Sequence, residues 1–315
     1  MEKLVSLARN PVPHGAVSGQ IAAFDGLMLR WARWDAATKS HRGTVCVFGG
    51  RTEFIEKYFE TIADLRRRGF AVATLDWRGQ GGSGRSLRNP RKGHVNDFSE
   101  YDADLDVFME DIVLPDCPPP YFALAHSMGG NILLRAATRR DCWFERMALS
   151  APMLRLKGLP VRQELLGGLA ALCVFCGLGD AFVPGGKETG WEAEAFEGNL
   201  LTSDRQRFER NREVLAKAPE LATGSPTIAW LHAALESMKW IGSDSFPPQV
   251  HVPVLMVSAG QDGVVCPRAI ELLAARLKAG TQIVIEQSRH EILQERDVIR
   301  DRFWAAFDAF IPGGS

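Results

Sequence analysis

The chain has 315 residues, 46% of them hydrophobic, which is too long for one minimal domain and enough for a large core. A formal net charge of -1 argues against a polyanion-binding surface, and so against nucleic acid as a partner. Met1 to Pro11 lack the 7–15-residue apolar run of a secretory signal, so the cytosol is the default compartment and the six scattered cysteines are expected as reduced thiols.

In chain order, Ile21 to Trp34 reads as a hairpin turning at Asp25-Gly26. Val45-Cys-Val-Phe48 is a short buried strand ending in Gly49-Gly50. Ile55, Tyr58, Phe59, Ile62 and Leu65 then recur at helical spacing, and Gly69 closes that helix. Ala71 to Leu75 is a strand, followed by a glycine-rich loop, a helix from about Phe98 to Ile112, and Pro118-Pro-Pro120. A strand from Phe122 precedes a helix whose buried stripe is Ile132, Leu133, Ala136 and Ala137. Arg146–Ser150 and Pro253–Ser258 are strands. A helix with Ile270, Leu273, Ala274 and Leu277 follows, then the strand Gln282–Ile285 and a last helix through Ile299, Phe303, Phe307 and Phe310. Such alternation predicts an α/β fold: a mostly parallel sheet covered on both faces, with the hairpin as an antiparallel edge.

The alternation stops between Ala151-Pro152 and Phe246-Pro-Pro248. Residues 153–246 are therefore expected as a helical cap inserted after the sixth strand, with 1–152 and 247–315 as the core domain. The cap's most apolar stretch, Leu165 to Leu178, is too short to span a bilayer, which takes about 20 residues. It is expected to line an acyl pocket. An interfacial docking helix is the alternative, but the segment lacks a charged opposite face. Cys173-Val-Phe-Cys176 within it is a lone C-x-x-C, read as small buried hydrophobes rather than a zinc or redox pair. Arg205, Arg207, Arg210 and Arg212 interleave with acids and read as a solvated helical face.

The most informative segment is Phe122-Ala-Leu-Ala-His-Ser127-Met-Gly-Gly130, a buried strand running through a serine into a helix opened by two glycines. This is the pattern of a nucleophile elbow, with Ala125 in place of the first glycine of G-x-S-x-G. A serine hydroxyl needs a base, and the base needs a carboxylate to fix its tautomer. His290 follows the strand ending at Ile285, and Asp262 follows the strand ending at Ser258. The order Ser127, Asp262, His290, all at strand ends on one sheet edge, is the one expected of this topology. His126 is set aside as a base, its side chain being expected on the other side of the turn. His94 and His232 are expected at the surface or in the cap. For an oxyanion, the backbone N–H of Met128 is one donor; the N–H of Arg51 is the favoured second, with Gly50 as the fallback.

Gly79-Gln-Gly81-Gly-Ser-Gly84 is formally a G-x-G-x-x-G, but Pro90 and its loop neighbours deny the helix a dinucleotide site requires. The motifs at Gly50-Arg-Thr-Glu, Asp76-Trp-Arg-Gly-Gln-Gly-Gly-Ser83, Ala125-His-Ser-Met-Gly-Gly130, Ser150-Ala-Pro-Met153, Ala259-Gly-Gln-Asp262 and Arg289-His290-Glu together resemble α/β-hydrolase-fold serine hydrolases of the lysophospholipase and monoacylglycerol lipase branch. The resemblance covers nearly the whole chain. It implies Ser127 as nucleophile, Asp262 as orienting acid and His290 as base, with no cofactor and no metal. The implied substrate is the ester of a single-chain acyl lipid, and a transient contact between cap and membrane surface is left open. A general carboxylesterase acting on short esters is the alternative, and a non-catalytic binding protein on the same fold is a further one. Two departures are Ala125 and the pair Gly49-Gly50, which stands where monoacylglycerol lipases commonly carry His-Gly.

Overall fold

Period-two alternation divides each central strand between two cores. In β3 (Thr44–Phe48) every residue is buried: Val45 and Val47 enter one apolar cluster, Cys46 and Phe48 the other. A strand covered on both faces can be apolar throughout, and β4 (Ala71–Leu75) and β7 (Val254–Ala259) are buried along their whole length in the same way. The computed structural model describes residues 4–38, 41–159 and 162–312. Residues 1–3 of the stretch read for an export signal, 160–161 of the expected cap, and 39–40 and 313–315 of the expected core lie outside them.

The other strands are β1 (Val17–Ala22), β2 (Met28–Trp34), β5 (Tyr121–His126), β6 (Arg146–Ser150) and β8 (Gly280–Ile285). Together they form an eight-stranded sheet in the order β1-β2-β4-β3-β5-β6-β7-β8. The hairpin β1–β2 and the β2–β4 pair are antiparallel, and the remaining pairs are parallel. The hairpin is thus the antiparallel edge expected, and Gly26 sits at its turn with φ +82°. Helices α1 (Phe59–Arg67) and α9 (Asp297–Phe310) cover one face through Ile62, Leu65, Phe303 and Phe307. The other face is covered by α2 (Ser99–Phe108), α4 (Met128–Ala136) and α8 (Pro267–Arg276). A π-helical turn (Met109–Val113) and the short α3 (Leu114–Asp116) prolong α2.

One local expectation changes and one holds. The helix expected through Ile55–Leu65 begins as a 3-10 turn, Ile55–Tyr58, before α1. The amide of Ile55, which has no partner within the turn, donates to Asp76 Oδ1 at 2.9 Å. The loop Gly79–Gly84 leads into no helix until α2. It folds back on Asp76, whose carboxylate accepts from Gly82 N and from buried Arg30, and a Cβ at Gly81 would sit 2.3 Å from that carboxylate.

Between β6 and β7 lie α5 (Gln163–Phe175), α6 (Arg205–Lys217) and α7 (Ile228–Gly242). Helix α5 does not line the cavity at Ser127, contrary to the expectation for the 165–178 stretch. Its small residues Gly167 and Ala170 are buried, and α5 packs on α7. Leu165, Leu169, Leu172 and Phe175 are consequently exposed, Phe175 at 88%. Cys176 is also exposed and Cys173 half-buried, both as free thiols, so neither is the buried hydrophobe expected. The arginines of α6 do more than face solvent. Arg207 and Arg210 reach Glu60 of α1, which also accepts from Arg300 of α9.

Burial alone would raise the pKa of Glu60, but the guanidinium groups of Arg207, Arg300 and Arg210 outweigh it and pull the carboxyl down to about 2. A carboxyl depressed in this way stabilises the fold above its unfolded pKa and loses that contribution as pH falls through the folded value. Glu60→Gln is therefore expected to lower stability at pH 7 by about 1–3 kcal/mol. In paired thermal melts the gap between variant and wild type should narrow from about pH 4.5 towards pH 2.

Candidate active site

Ser127 joins β5 to α4 with φ 49° and ψ −112°, a region that non-glycine residues avoid. Three backbone hydrogen bonds hold it there: its N–H donates to Ser150 O, and its carbonyl accepts from Asn131 and Met153. The two glycines after it are needed for packing. A Cβ at Gly129 would lie 2.7 Å from Gly49 O and 2.8 Å from Phe48 O, and one at Gly130 2.8 Å from Pro152 Cβ. Ala125 is buried and paired in register with Phe48 and Leu149, so a methyl group is accommodated at that elbow position.

The three side chains singled out from the sequence lie in hydrogen-bond contact. His290 Nε2 is 3.0 Å from Ser127 Oγ, and His290 Nδ1 is 2.8 Å from Asp262 Oδ2. The loops after β7 and β8 are knitted to each other, since Gly260 N donates to Ile285 O and Gln261 N to Ser288 O. A Cβ at Gly260 would lie 2.6 Å from the backbone of Glu286, so only glycine allows the approach. The second oxygen of Asp262 accepts from the amides of Val264 and Val265, each at 2.8 Å. Burial pushes the Asp262 carboxyl up, but the bonds from His290 and these amides prevail and hold it below the usual carboxylate value. An ionised Asp262 at Nδ1 puts the imidazole proton there and leaves Nε2 to accept from the serine hydroxyl.

The amides of the loop after β3 differ in availability. Gly50 N–H donates to Glu53 Oε2, and Thr52 N–H donates to Gln80 Oε1 at 3.1 Å. Among the described residues the amide of Arg51, between them, has no acceptor. Gln80 also donates to the carbonyls of Gly50 and Glu53, stapling the loop from both sides. Met128 is the first residue of α4, where an N–H has no intrahelical partner.

Sequence reasoning missed a buried ionic cluster directly behind these groups. Glu53 accepts from Gly50 N, Tyr58 Oη, Lys57 Nζ and His126 Nδ1, and Lys57 bridges on to Glu291 at 2.6 Å. The Glu53–Lys57 spacing of four residues was the available signal. His126 belongs to this cluster rather than lying clear of the base: its ring is 4.7 Å from that of His290, centroid to centroid. Its Nε2 faces His290 O at 3.3 Å, so both of its nitrogens meet acceptors, as an imidazolium requires. Burial would lower the pKa of His126, but the Glu53 carboxylate outweighs it and holds the ring above its ordinary value. The cluster thus sets the Lys57 ammonium and the His126 ring against the carboxylates of Glu53 and Glu291. His94 is another correction. It is buried, with Nδ1 2.9 Å from Thr227 Oγ1 of the residue preceding α7, while His232 lies half-buried in α7.

Ser127, His290 and Arg51 open on a cavity of about 640 Å³. Met153, Leu156, Leu231, Val264 and Val265 form its apolar wall. Helix α5 instead borders a separate cavity of about 570 Å³ shared with α7 and α8. Among the described residues no three His, Cys, Asp or Glu side chains gather as a metal site would need.

Residues 39–297 match the family described as Serine aminopeptidase, S33. The chain belongs to that family. It is 34% identical to "Lysophospholipase L2" of Escherichia coli strain K12, over 89% of this chain and 83% of that one. It is 28% identical to "Probable lysophospholipase L2" of Haemophilus influenzae, over 86% and 84% respectively. A soluble variant of monoglyceride lipase from Saccharomyces cerevisiae shares the fold with a TM-score of 0.73, at 18% identity, over 95% of this chain and 96% of that one. For this S33 chain, Glu53→Gln strips the cluster of one charge and leaves Lys57 and His126 undercompensated. It is expected to cost about 3–5 kcal/mol of stability, read by denaturant unfolding. Tyr58→Phe, which removes one donor and no charge, is expected to cost about 1 kcal/mol.

Proposed function

We propose that this chain is a serine hydrolase that cleaves the carboxylic ester of a single-chain acyl lipid, a lysophospholipid or a monoacylglycerol. The observation that carries the reading is His290 hydrogen-bonded at once to Ser127 and to Asp262, beside a cavity with one apolar wall. Ser127 Oγ attacks the acyl carbonyl as His290 Nε2 takes its proton, and Asp262 stabilises the imidazolium formed. The N–H groups of Met128 and Arg51 receive the oxyanion; Gly50 is a poorer donor because its amide is engaged by Glu53. His290 then protonates the departing alcohol, and a water activated by the same imidazole releases the fatty acid. The names of the lysophospholipase L2 relatives support a lipid substrate. The family description includes a peptidase; at the cavity wall Glu53 and Glu291 are both bound to Lys57, and the exposed Glu194 is the remaining carboxylate of the lining.

The segment 153–246 supports the cap reading by supplying Leu156, Trp191, Trp230 and Leu231 to the cavity. Its α5 supports a contact with a membrane surface: Leu165, Leu169, Leu172 and Phe175 form an exposed apolar stripe at helical spacing, and exposed Leu178 follows just past its end. Among the described residues no helix is long and apolar enough to cross a membrane.

Ser127→Ala is expected to abolish labelling by a fluorophosphonate and to lower kcat by about 10^4-fold or more. Labelling that survives the substitution would refute the assignment of the nucleophile, and an unlabelled wild type would favour a binding protein. Across p-nitrophenyl esters of increasing chain length, kcat/KM should rise by up to about fourfold per methylene until the apolar wall is filled, given about 0.8 kcal/mol per buried CH2. A preference for the shortest esters would favour the carboxylesterase reading. Replacing Leu169, Leu172 and Phe175 together by serine is expected to reduce sedimentation with phosphatidylglycerol vesicles while leaving hydrolysis of a soluble short ester intact.

A further inference from the structure

Charged arginines in this protein are as a rule neutralised where they are buried. Arg30 binds Asp76 and Glu56, Arg78 binds Asp104, and Arg300 binds Asp64 and Glu60. Arg51, which is half-buried, has no such partner. Among the described residues its guanidinium has no carboxylate within ion-pair distance, and its one hydrogen bond runs from Nη2 to the carbonyl of Gly224. The group lies over the ring of Trp230, 5.2 Å from the centroid, and its Nε is buried with no partner. Burial pulls its pKa down to about 10, so it keeps its charge at neutral pH. Its Nε is enclosed while the residue as a whole is half-buried at the cavity wall, so the cation is partly desolvated and carries no counter-charge. Its side chain forms part of the wall of the cavity that holds Ser127 and His290. The loop carrying it touches the nucleophile, since a Cβ on the preceding Gly50 would lie 3.1 Å from Ser127 Cβ.

A second cation lines the same cavity. Lys187 is exposed, and among the described residues its ammonium makes no ion pair. Its backbone N–H is fixed by Ser225 Oγ at 2.9 Å, and Thr189 and Ser225 add hydroxyls to the lining there. The cavity therefore joins apolar residues to two cations without ion-pair partners, Arg51 and Lys187, with the exposed Glu194 also in its lining. The hydroxyls of a neutral glycerol headgroup can accept from a guanidinium but bring it no counter-charge. A phosphodiester supplies both the missing charge and paired acceptor oxygens that match its fork.

We propose that Arg51, assisted by Lys187, binds the phosphate of a lysophospholipid headgroup and so selects phosphate-bearing acyl glycerols over neutral monoacylglycerols. The inference rests on the ester-hydrolase reading above and deepens it. The acyl chain lies along Met153, Leu156, Leu231, Val264 and Val265, and the phosphate occupies the end lined by Arg51. Arg51 then has two separate duties, its main-chain N–H towards the oxyanion and its side chain towards the headgroup.

The test compares 1-acyl lysophosphatidylcholine with the 1-monoacylglycerol of the same chain, both below their aggregation concentrations. Wild type, Arg51→Gln, Arg51→Lys and Lys187→Gln are measured. Wild type should prefer the lysophospholipid, and Arg51→Gln should reduce the ratio of the two kcat/KM values at least tenfold, chiefly through KM for the lysophospholipid. Arg51→Lys, which keeps the charge but not the fork, should recover part of the ratio. Lys187→Gln should lower the ratio by two- to fivefold. Fluorophosphonate labelling of each variant checks that the serine is still reactive. The phosphate assignment is overturned if both Arg51 variants and Lys187→Gln keep the ratio within twofold of wild type, whatever happens to the absolute rates. The ester-hydrolase reading stands in that case, because wild type still turns over both lipids. A wild type that cleaves neither lipid overturns both.

Discussion

The carboxylate of Glu53 is where the parts of the site are tied together. One side chain accepts from the Gly50 amide, from Tyr58, from Lys57 and from His126, and Lys57 carries the link on to Glu291, next in the chain to His290. The loop after β3, the elbow after β5 and the loop after β8 are thereby held against one another by charge. Taking these groups out of water is expensive, and the expense is offset only because each charge meets its opposite at hydrogen-bond distance. The pairing of Gly50 with Glu53 and of Thr52 with Gln80 also decides which amide of that loop remains available. Arg51 is left over by elimination.

Around that anchor the sheet supplies position. Parallel strands buried on both faces end at a common edge, and the loops that leave β3, β5, β7 and β8 converge there. Close approach is bought with glycine at Gly129 and Gly260, where any side chain would collide with backbone. The strain at Ser127 is tolerated because hydrogen bonds to Ser150, Asn131 and Met153 fix the residue on both sides. The helices between β6 and β7 are joined to this frame at their other end by Glu60, which three arginines from α6 and α9 share. The same segment contributes Leu156, Trp191, Trp230 and Leu231 to the lining of the cavity, and leaves α5 with leucines turned outward.

The strand pattern was legible because it depends on neighbours in the chain. Ala71–Leu75 and Arg146–Ser150 were read to the residue, and the other central strands to within one or two. Where a distant partner intervened, the local reading failed. The start of the helix at Ile55 is a 3-10 turn whose first amide is bound by Asp76, and the ring of His126, held by Glu53, stands beside that of His290. The outward face of α5 is a failure of the same kind. An all-apolar stretch has no polar side to orient it, so the choice fell to its glycines and alanines, which pack closest on α7.

By itself the sequence determined which residues alternate, where strands end in glycine, and that Ser127, Asp262 and His290 stand at such ends in a fixed order. Those properties follow from periodicity and turn chemistry, which act over a few residues. Only the tertiary structure decided which charges neutralise each other and which are left without a partner. Lys57 and Glu291 meet across 234 residues and Glu53 and His126 across 73, and no local pattern records such distances. The unmatched guanidinium of Arg51 is visible for the same reason: its lack of a counter-charge is a fact about its neighbours in space.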